Sequence, residues 1–433
     1  MEYIQNTECT KWQFECIPEF KGGSMSPVFA DCGTGKGECT ENTAEHSFMH
    51  TFFEASACEV KEYARMLKEN GMKLVFENSV DGNLFYQFIC GEGLLYLSYL
   101  KGSRILRIML DRCEGASAAK FGSDEYEEIR NDTLISQYSL HYDDMIKGTT
   151  CDCGMNYVLR LHDNSVVIID GGEMEQSTDI AVCDFMKYLH EITDTPQNGV
   201  IRVSMWLCTH AHNDHCDFMS KIIRFYGDEI VIERAAFNFP HPDNVRHSPS
   251  VAMAKSRLFE KYPSAQYIKL HAGMNFNIAN ARFDILLSAE DTVALDSEEL
   301  LPCTNATSII FSVTADGVKT IFLADCCSDD ADVLVENYTR QTLKCNIVQA
   351  AHHGINEIYN AYEAISAEAV MLPQCEKNMH KRFQPVYDCL CEKYGEKNIY
   401  FAHDATYIFT AENGKYSITD RAHTGSAYDG SEW

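Results

Sequence analysis

The sequence predicts a layered α/β fold preceded by a smaller α+β domain, on three observations. The chain has 433 residues, and at about 100–200 residues per domain two units are the natural division. From about residue 150, short apolar strands and a helical period follow one another as β-β-α-β, the texture of a layered α/β sheet. The strands of that second part end in polar, chemistry-bearing residues, at the edge where layered α/β proteins place their sites.

The elements follow in order. Up to about residue 39, short apolar runs mix with glycine. Gly33-Thr34-Gly35-Lys36-Gly37 has the look of a phosphate loop, but Gly37 stands where Ser or Thr must follow the lysine. It therefore reads as a hairpin turn. A strand is expected over 49–55 and a helix over 58–70, with Val60, Tyr63, Ala64 and Leu67 on one face and Gly71 as the stop. Strands over 73–77, 84–90, 94–100 and 104–110 are separated by Asp81-Gly82 and Gly91-Glu92-Gly93. Residues 1–112 thus form a small α+β domain with no cluster of catalytic residue types. Residues 113–149, with Gly115-Ala116-Ser117-Ala118-Ala119 and the acidic run Asp124-Glu125-Tyr126-Glu127-Glu128, read as a linker. Residues 150–433 form the larger domain. Its first strands, 157–161 and 166–169, are joined by His162-Asp163-Asn164-Ser165, and the second ends in Asp170-Gly171-Gly172. A helix over 178–192 and a buried strand over 201–207 follow.

Composition narrows the chemistry. Hydrophobic residues make up 45% and charged residues 23%, an ordinary globular balance. With 36 Lys+Arg against 64 Asp+Glu the net charge is −28, which disfavours long polyanions such as nucleic acid. A small molecule, including a small phosphorylated one, remains the natural substrate class. The first residues show no basic region followed by an apolar run, and no stretch approaches the roughly 18 apolar residues of a membrane helix. The 19 cysteines include no CxxC pair and suit a reducing compartment, so a cytoplasmic protein is expected.

The strand over 201–207 runs into Thr209-His210-Ala211-His212-Asn213-Asp214-His215. Four metal-competent side chains fall within six residues. Imidazoles suit Zn, Fe or Mn, and a carboxylate adds compensating charge. One ion cannot conveniently take all four from so tight a loop. Two can: His210 and His212 toward one, Asp214 and His215 toward the other. Two later strands end alike. Ile321-Phe322-Leu323-Ala324-Asp325 places a carboxylate where packing has no use for it, and Ile347-Val348-Gln349-Ala350-Ala351-His352-His353-Gly354 ends in a histidine pair. Asp325 competes for the role of helix N-cap over 328–337, which Ser328 fills as well.

These segments resemble the metallo-β-lactamase superfamily, over about residues 150 to 407. The resemblance implies a four-layer αββα sandwich and a binuclear metal-dependent hydrolase. It implies metal ligands His210, His212, Asp214, His215, Asp325 and His353, with Asp325 bridging two divalent ions, zinc foremost and Mn or Fe as alternatives. Asp170 would orient the ligand loop without binding metal. A hydroxide shared by the ions would be the nucleophile. Asp214, His352 and His353 would serve the reaction, one of the histidines stabilising the transition state or protonating the leaving group.

The sequence departs from the family at one place. The strand over 283–288 is followed by Ala289-Glu290-Asp291, where members often supply a third histidine to the first ion. Glu290, His241 and His271 are the candidates to replace it. His403, before Asp404, is a candidate late ligand to the second ion. Asn305-Ala306-Thr307-Ser308, the Leu-Ala-Asp and the His-His-Gly together are similar to the ComEC-type and phosphorylcholine esterase-like branch, which implies phosphoester or phosphodiester hydrolysis. Hydrolysis of a lactone, thioester or amide is the alternative, and a non-catalytic metal-binding sensory module the alternative of another class.

Overall fold

In the computed structural model the described residues are 4–6, 17–25, 28–30, 48–90, 93–111, 125–140, 143–144, 149–150, 154–172, 179–239, 249–292, 304–402 and 405–422. Two mixed sheets, of nine and seven strands, lie face to face. The apolar core between them joins Tyr157, Val167, Ile169, Met205 and Phe409 of the first to Phe283, Phe311, Val313, Phe322 and Met371 of the second. The outer face of the nine-stranded sheet, with Val158, Ile168 and Trp206, is covered by Phe185 and Leu189 of helix Asp179–Ile192, Phe218 and Ile222 of helix Asn213–Tyr226, and Leu258 of helix Pro249–Lys261. The outer face of the seven-stranded sheet, with Ile321, Val348 and Val370, is covered by Leu334, Tyr362 and Leu390 from helices Ser328–Asn337, Tyr359–Ala364 and Gln384–Tyr394. This is the four-layer αββα sandwich expected.

The strand pairing explains why the site is at one edge. Val166–Asp170 and Ile201–Leu207 run parallel in the first sheet. Val318–Phe322, Ile347–Gln349 and Ala369–Leu372 run parallel in the second. Parallel strands buried on both faces carry continuous apolar runs, and their C-terminal ends collect at one rim. Asp170, the His210–His215 loop, Asp325 and the His352–His353 pair, which follow these strands, therefore meet there.

Thr133–Gln137 corrects the expected linker. It is a strand, paired on one side with Asn156–Arg160 and on the other with Ala405–Glu412. The larger unit therefore begins before residue 150. Its five residues are too few for a clear period, and both partners are distant in sequence. The Gly33–Gly37 turn and residues 113–124, 141–142 and 145–148 of the expected linker lie outside the described residues.

The N-terminal unit forms as read. Helix Ala57–Glu69 is capped by Ser56, whose hydroxyl accepts from Glu59 N while the Glu59 carboxylate accepts from Ser56 N at 2.8 Å. It packs Val60, Tyr63, Ala64 and Leu67 on an eight-stranded antiparallel sheet containing Phe48–Phe53, Lys73–Val80, Asn83–Cys90, Gly93–Leu100 and Ile105–Asp111. The other face of this sheet lies on the sandwich: Met49, Tyr96 and Met109 join the intersheet core, and Phe85 and Leu100 join the cluster over the second sheet. Gly273, at φ +82°, sits beneath Phe85, where a Cβ would stand 2.0 Å from the ring. Only glycine permits that backbone angle and that approach. No described helix is long and apolar enough to cross a membrane.

Candidate metal centre

The loop after Ile201–Leu207 is shaped before any ion is considered. Asp170, buried at the end of its strand with φ +59°, accepts from Thr209 N at 2.7 Å and Thr209 Oγ1 at 2.9 Å. Its second oxygen also accepts from His215 Nδ1 at 2.8 Å. Cys216 Sγ reaches the His210 carbonyl at 3.5 Å. With Nδ1 of His215 protonated toward Asp170, its Nε2 lone pair turns into the site. The same logic sets two more rings. His353 Nδ1 donates to the Pro373 carbonyl at 3.2 Å, leaving Nε2 to face Asp214 Oδ2 at 3.1 Å. His352 Nδ1 donates to Asn356 Oδ1 at 2.7 Å, and its Nε2 accepts from Asn305 Nδ2 at 3.2 Å.

The ligand-type atoms fall into two groups that share Asp325. Asp214, His215, His353 and Asp325 form one, His210, His212 and Asp325 the other, with the atoms of each group within 4.8 Å of one another. This is the division expected from the loop's spacing. Asp325 Oδ1 lies 3.3 Å from His215 Nε2 and 3.9 Å from His353 Nε2. Asp325 Oδ2 lies 3.6 Å from His210 Nε2 and 3.6 Å from His352 Nε2. His210 Nε2 and His212 Nδ1 are 3.1 Å apart, two acceptors converging on one point.

Asp325 is held there by its backbone. Gln349 accepts from Leu323 N and Ala324 N at 2.8 and 2.7 Å, fixing a turn in which Ala324 has φ +50°. His352 and His353 have φ +46° and +53°. Left-handed non-glycine residues cost of order 1–3 kcal/mol each and collect at sites that the surroundings over-determine. The cap of helix Ser328–Asn337 comes from neither expected residue: Asp330 accepts from Cys327 N at 2.8 Å, which frees the Asp325 carboxylate.

Charge sharpens the picture. Both carboxylate oxygens of Asp325 and Nε2 of His215 are buried without a hydrogen-bond partner, and a buried charge left so is expensive. Burial alone would raise the Asp325 carboxyl, but His215 and His210 outweigh it and hold it well below the carboxylate range. Burial disfavours a charged His215, yet Asp325, Asp170 and Asp214 around it raise it. Burial and the neighbouring His215 lower His210. A ring of mutually compensating acids and imidazoles with orphaned lone pairs at its centre fits divalent cations.

The candidates for the missing third histidine fare differently. Glu290 belongs to neither group. It is buried, accepting from Asn238 Nδ2 at 2.8 Å on each oxygen and from Ser288 Oγ at 2.7 Å, with His271 Nδ1 at 3.3 Å. His271 stacks on Tyr96 at 4.8 Å. His241 and His403 lie outside the described residues. Asn356, the Pro373 carbonyl and Gln349, which set the rings and the Asp325 turn, were not picked out from the sequence. The Pro373 carbonyl and Gln349 act on segments 20 or more residues away, so no local pattern marks them; Asn356 stands only four residues from His352.

No protein-family model and no curated protein matches this sequence. Solved structures match at low identity. The metallo-β-lactamase fold protein YhfI from Bacillus subtilis is 10% identical over 62% of this chain and 96% of its own, with a TM-score of 0.38. Tm1679, described as a metal-dependent hydrolase of the β-lactamase superfamily, is 10% identical over 67% and 100%, at 0.37. CmlA, a diiron β-hydroxylase from Streptomyces venezuelae, is 11% identical over 71% of this chain, at 0.36, and the match spans 58% of its length. The fold assignment itself rests on the two mixed sheets, their outer helices and the strand-end cluster, which define a metallo-β-lactamase-type sandwich.

Proposed function

We propose that the chain is a metal-dependent hydrolase with a dinuclear centre. His210, His212 and Asp325 would hold one divalent ion, and Asp214, His215, His353 and Asp325 the other. The observation that carries this reading is Asp325, whose two buried oxygens lack hydrogen bonds and face the two groups separately. Such ions supply Lewis-acid activation of water and of the scissile group. The chain's own residues do the rest. Asp170 holds the ligand loop, Asp214 is oriented by His353, and His352 presents a neutral ring, fixed by Asn305 and Asn356, at the exposed side of the centre. A phosphoester or phosphodiester is the proposed substrate, on the strength of the sequence resemblance and of the Asn305–Ser308 segment beside His352.

The test is metal analysis of protein purified without added metal, alongside Asp325→Asn, followed by turnover of a generic phosphodiester and a generic thioester. About two equivalents of metal, lost in the variant, with phosphodiester turnover, supports the reading. Thioester turnover alone moves the substrate class to carbonyl compounds. Wild-type protein that takes up no metal even when supplied overturns the centre.

A further inference from the structure

The segment facing the centre from the second sheet is anchored in the N-terminal unit. Arg107, on strand Ile105–Asp111 of the N-terminal sheet, is buried and reaches across to the short helix Ala289–Thr292. Its Nη2 donates to the Asp291 carbonyl at 3.0 Å, and its Nη1 stands 3.6 Å from Asp291 Oδ1. Ser98, on the neighbouring strand, donates to the same carboxylate oxygen at 3.4 Å. The other oxygen of Asp291 accepts from Ser288 N at 3.0 Å. The next residue passes the constraint on: Thr292 Oγ1 donates to the Ala306 carbonyl at 2.6 Å, inside the 3₁₀ turn Asn305–Thr307. That turn and the residues after it touch the centre at three places. Asn305 donates to His352 Nε2, Asp325 N donates to Ser308 Oγ at 3.2 Å, and Ile309 N donates to the Thr209 carbonyl at 3.0 Å.

We propose that Arg107 is a positioning residue: from the N-terminal sheet it fixes helix Ala289–Thr292, and through it the turn that seats Asn305 on His352 and Ser308 on the Asp325 turn. The N-terminal unit then acts as a brace for the site. Cohesion between the units does not need this pair, because Phe85 on Gly273 and the Met49, Tyr96 and Met109 contacts already supply apolar burial. A buried ion pair adds little net stability over apolar groups of the same size, so the value of this one lies in the geometry it sets. Its catalytic meaning rests on the hydrolase reading above, whereas its mechanical content does not.

The experiment is amide hydrogen exchange and ¹⁵N NMR of the histidine rings on full-length, metal-free protein. The variants are Arg107→Lys, Arg107→Met and Arg107→Met/Asp291→Asn; the last removes the stranded charge that could unfold the single variant. In the double variant we expect Thr307, Ser308 and Ile309 to exchange about tenfold faster, as a local opening would allow. The strands Gly93–Leu100 and Ile347–Gln349 should keep their protection. The His352 Nε2 resonance should shift as its Asn305 donor loosens, and Arg107→Lys should restore part of both effects. Unchanged exchange at 307–309 with an unmoved His352 resonance overturns the proposal. So does loss of protection throughout the sandwich in step with the turn, since that is the signature of a purely structural role.

Discussion

Asp325 and Glu290 are both fully buried carboxylates at strand ends of the same sandwich, and their surroundings are opposite. Glu290 is saturated: Asn238 and Ser288 donate to it, and His271 stands beside it. Burial would raise its carboxyl, but His271 and Lys269 hold it well below the usual range. Asp325 has imidazoles around it and no hydrogen bond to either oxygen. A buried charge must be compensated. At Glu290 the protein completes the compensation itself, so the residue is structural. At Asp325 it is left open along directions shared with His210, His215 and His353, which is the basis of the proposed metal role. Residue type and burial do not separate the two; the state of the lone pairs does.

Four variants can break or sharpen that contrast. The largest effect belongs to Asp325→Asn. It should abolish metal uptake and lower turnover by about 10²–10³-fold or more, while leaving the fold intact, because the oxygen it replaces makes no protein hydrogen bond. Titrated with metal, the wild-type protein should gain about 2.7 kcal/mol of stability at a hundredfold excess over Kd, read by thermal melts; the variant should gain almost none. Glu290→Ala should do the reverse. Stranding His271 beside Lys269 should cost about 3–5 kcal/mol in denaturant unfolding, with the metal content of the folded fraction unchanged. Metal loss in Glu290→Ala without loss of stability would return Glu290 to the ligand set. Asp170→Asn comes next. Its three donors then face an amide in place of a carboxylate, and metal affinity should fall about 10–100-fold, measured by competition with a chelator; unaltered affinity would mean that the loop holds its shape unaided.

The smallest effect lies in the N-terminal sheet. Burial there lowers His50 to about 4, against 6.5 for a free histidine. The unfolded chain thus binds the extra proton first as pH falls. The stability of neutral His50 is fully present above pH 6.5 and is lost between 6.5 and 4, amounting to about 1.5 kcal/mol between pH 6.5 and 5. His50→Gln should remove that part of the slope in urea unfolding curves, and an unchanged slope would mean that His50 does not stay neutral in the folded state.

Several elements were legible because their cause is local. The run from Ile201 into His210-Ala211-His212-Asn213-Asp214-His215 carries its strand and its loop within fifteen residues, and its side chains fall into the same two pairs in space. Asp325 and the His352–His353 pair stood out because each follows an apolar strand, although the sequence did not say which histidine of the pair faces the other acids and imidazoles. Helix Ala57–Glu69 was marked by its apolar face and its stop. What failed was what depends on remote partners. Thr133–Gln137 looked like linker because its identity as a strand comes from Asn156–Arg160 on one side and Ala405–Glu412 on the other. Glu290 looked like a replacement ligand because it follows the right strand, and only Asn238 and His271, from other strand ends, show otherwise.

By itself, then, the sequence determined the layered class of the fold and marked the loop and strand ends whose acids and imidazoles come together, since strand period, loop spacing and strand-end polarity are written in consecutive residues. Tertiary structure alone decided which buried charges are satisfied and which are left open, which ring nitrogen of each histidine faces the centre, and that an arginine of the N-terminal sheet braces the site's far wall. Most of those rest on hydrogen bonds or ion pairs between segments tens to hundreds of residues apart, and such partners exist only once parallel strands have brought their ends to one rim.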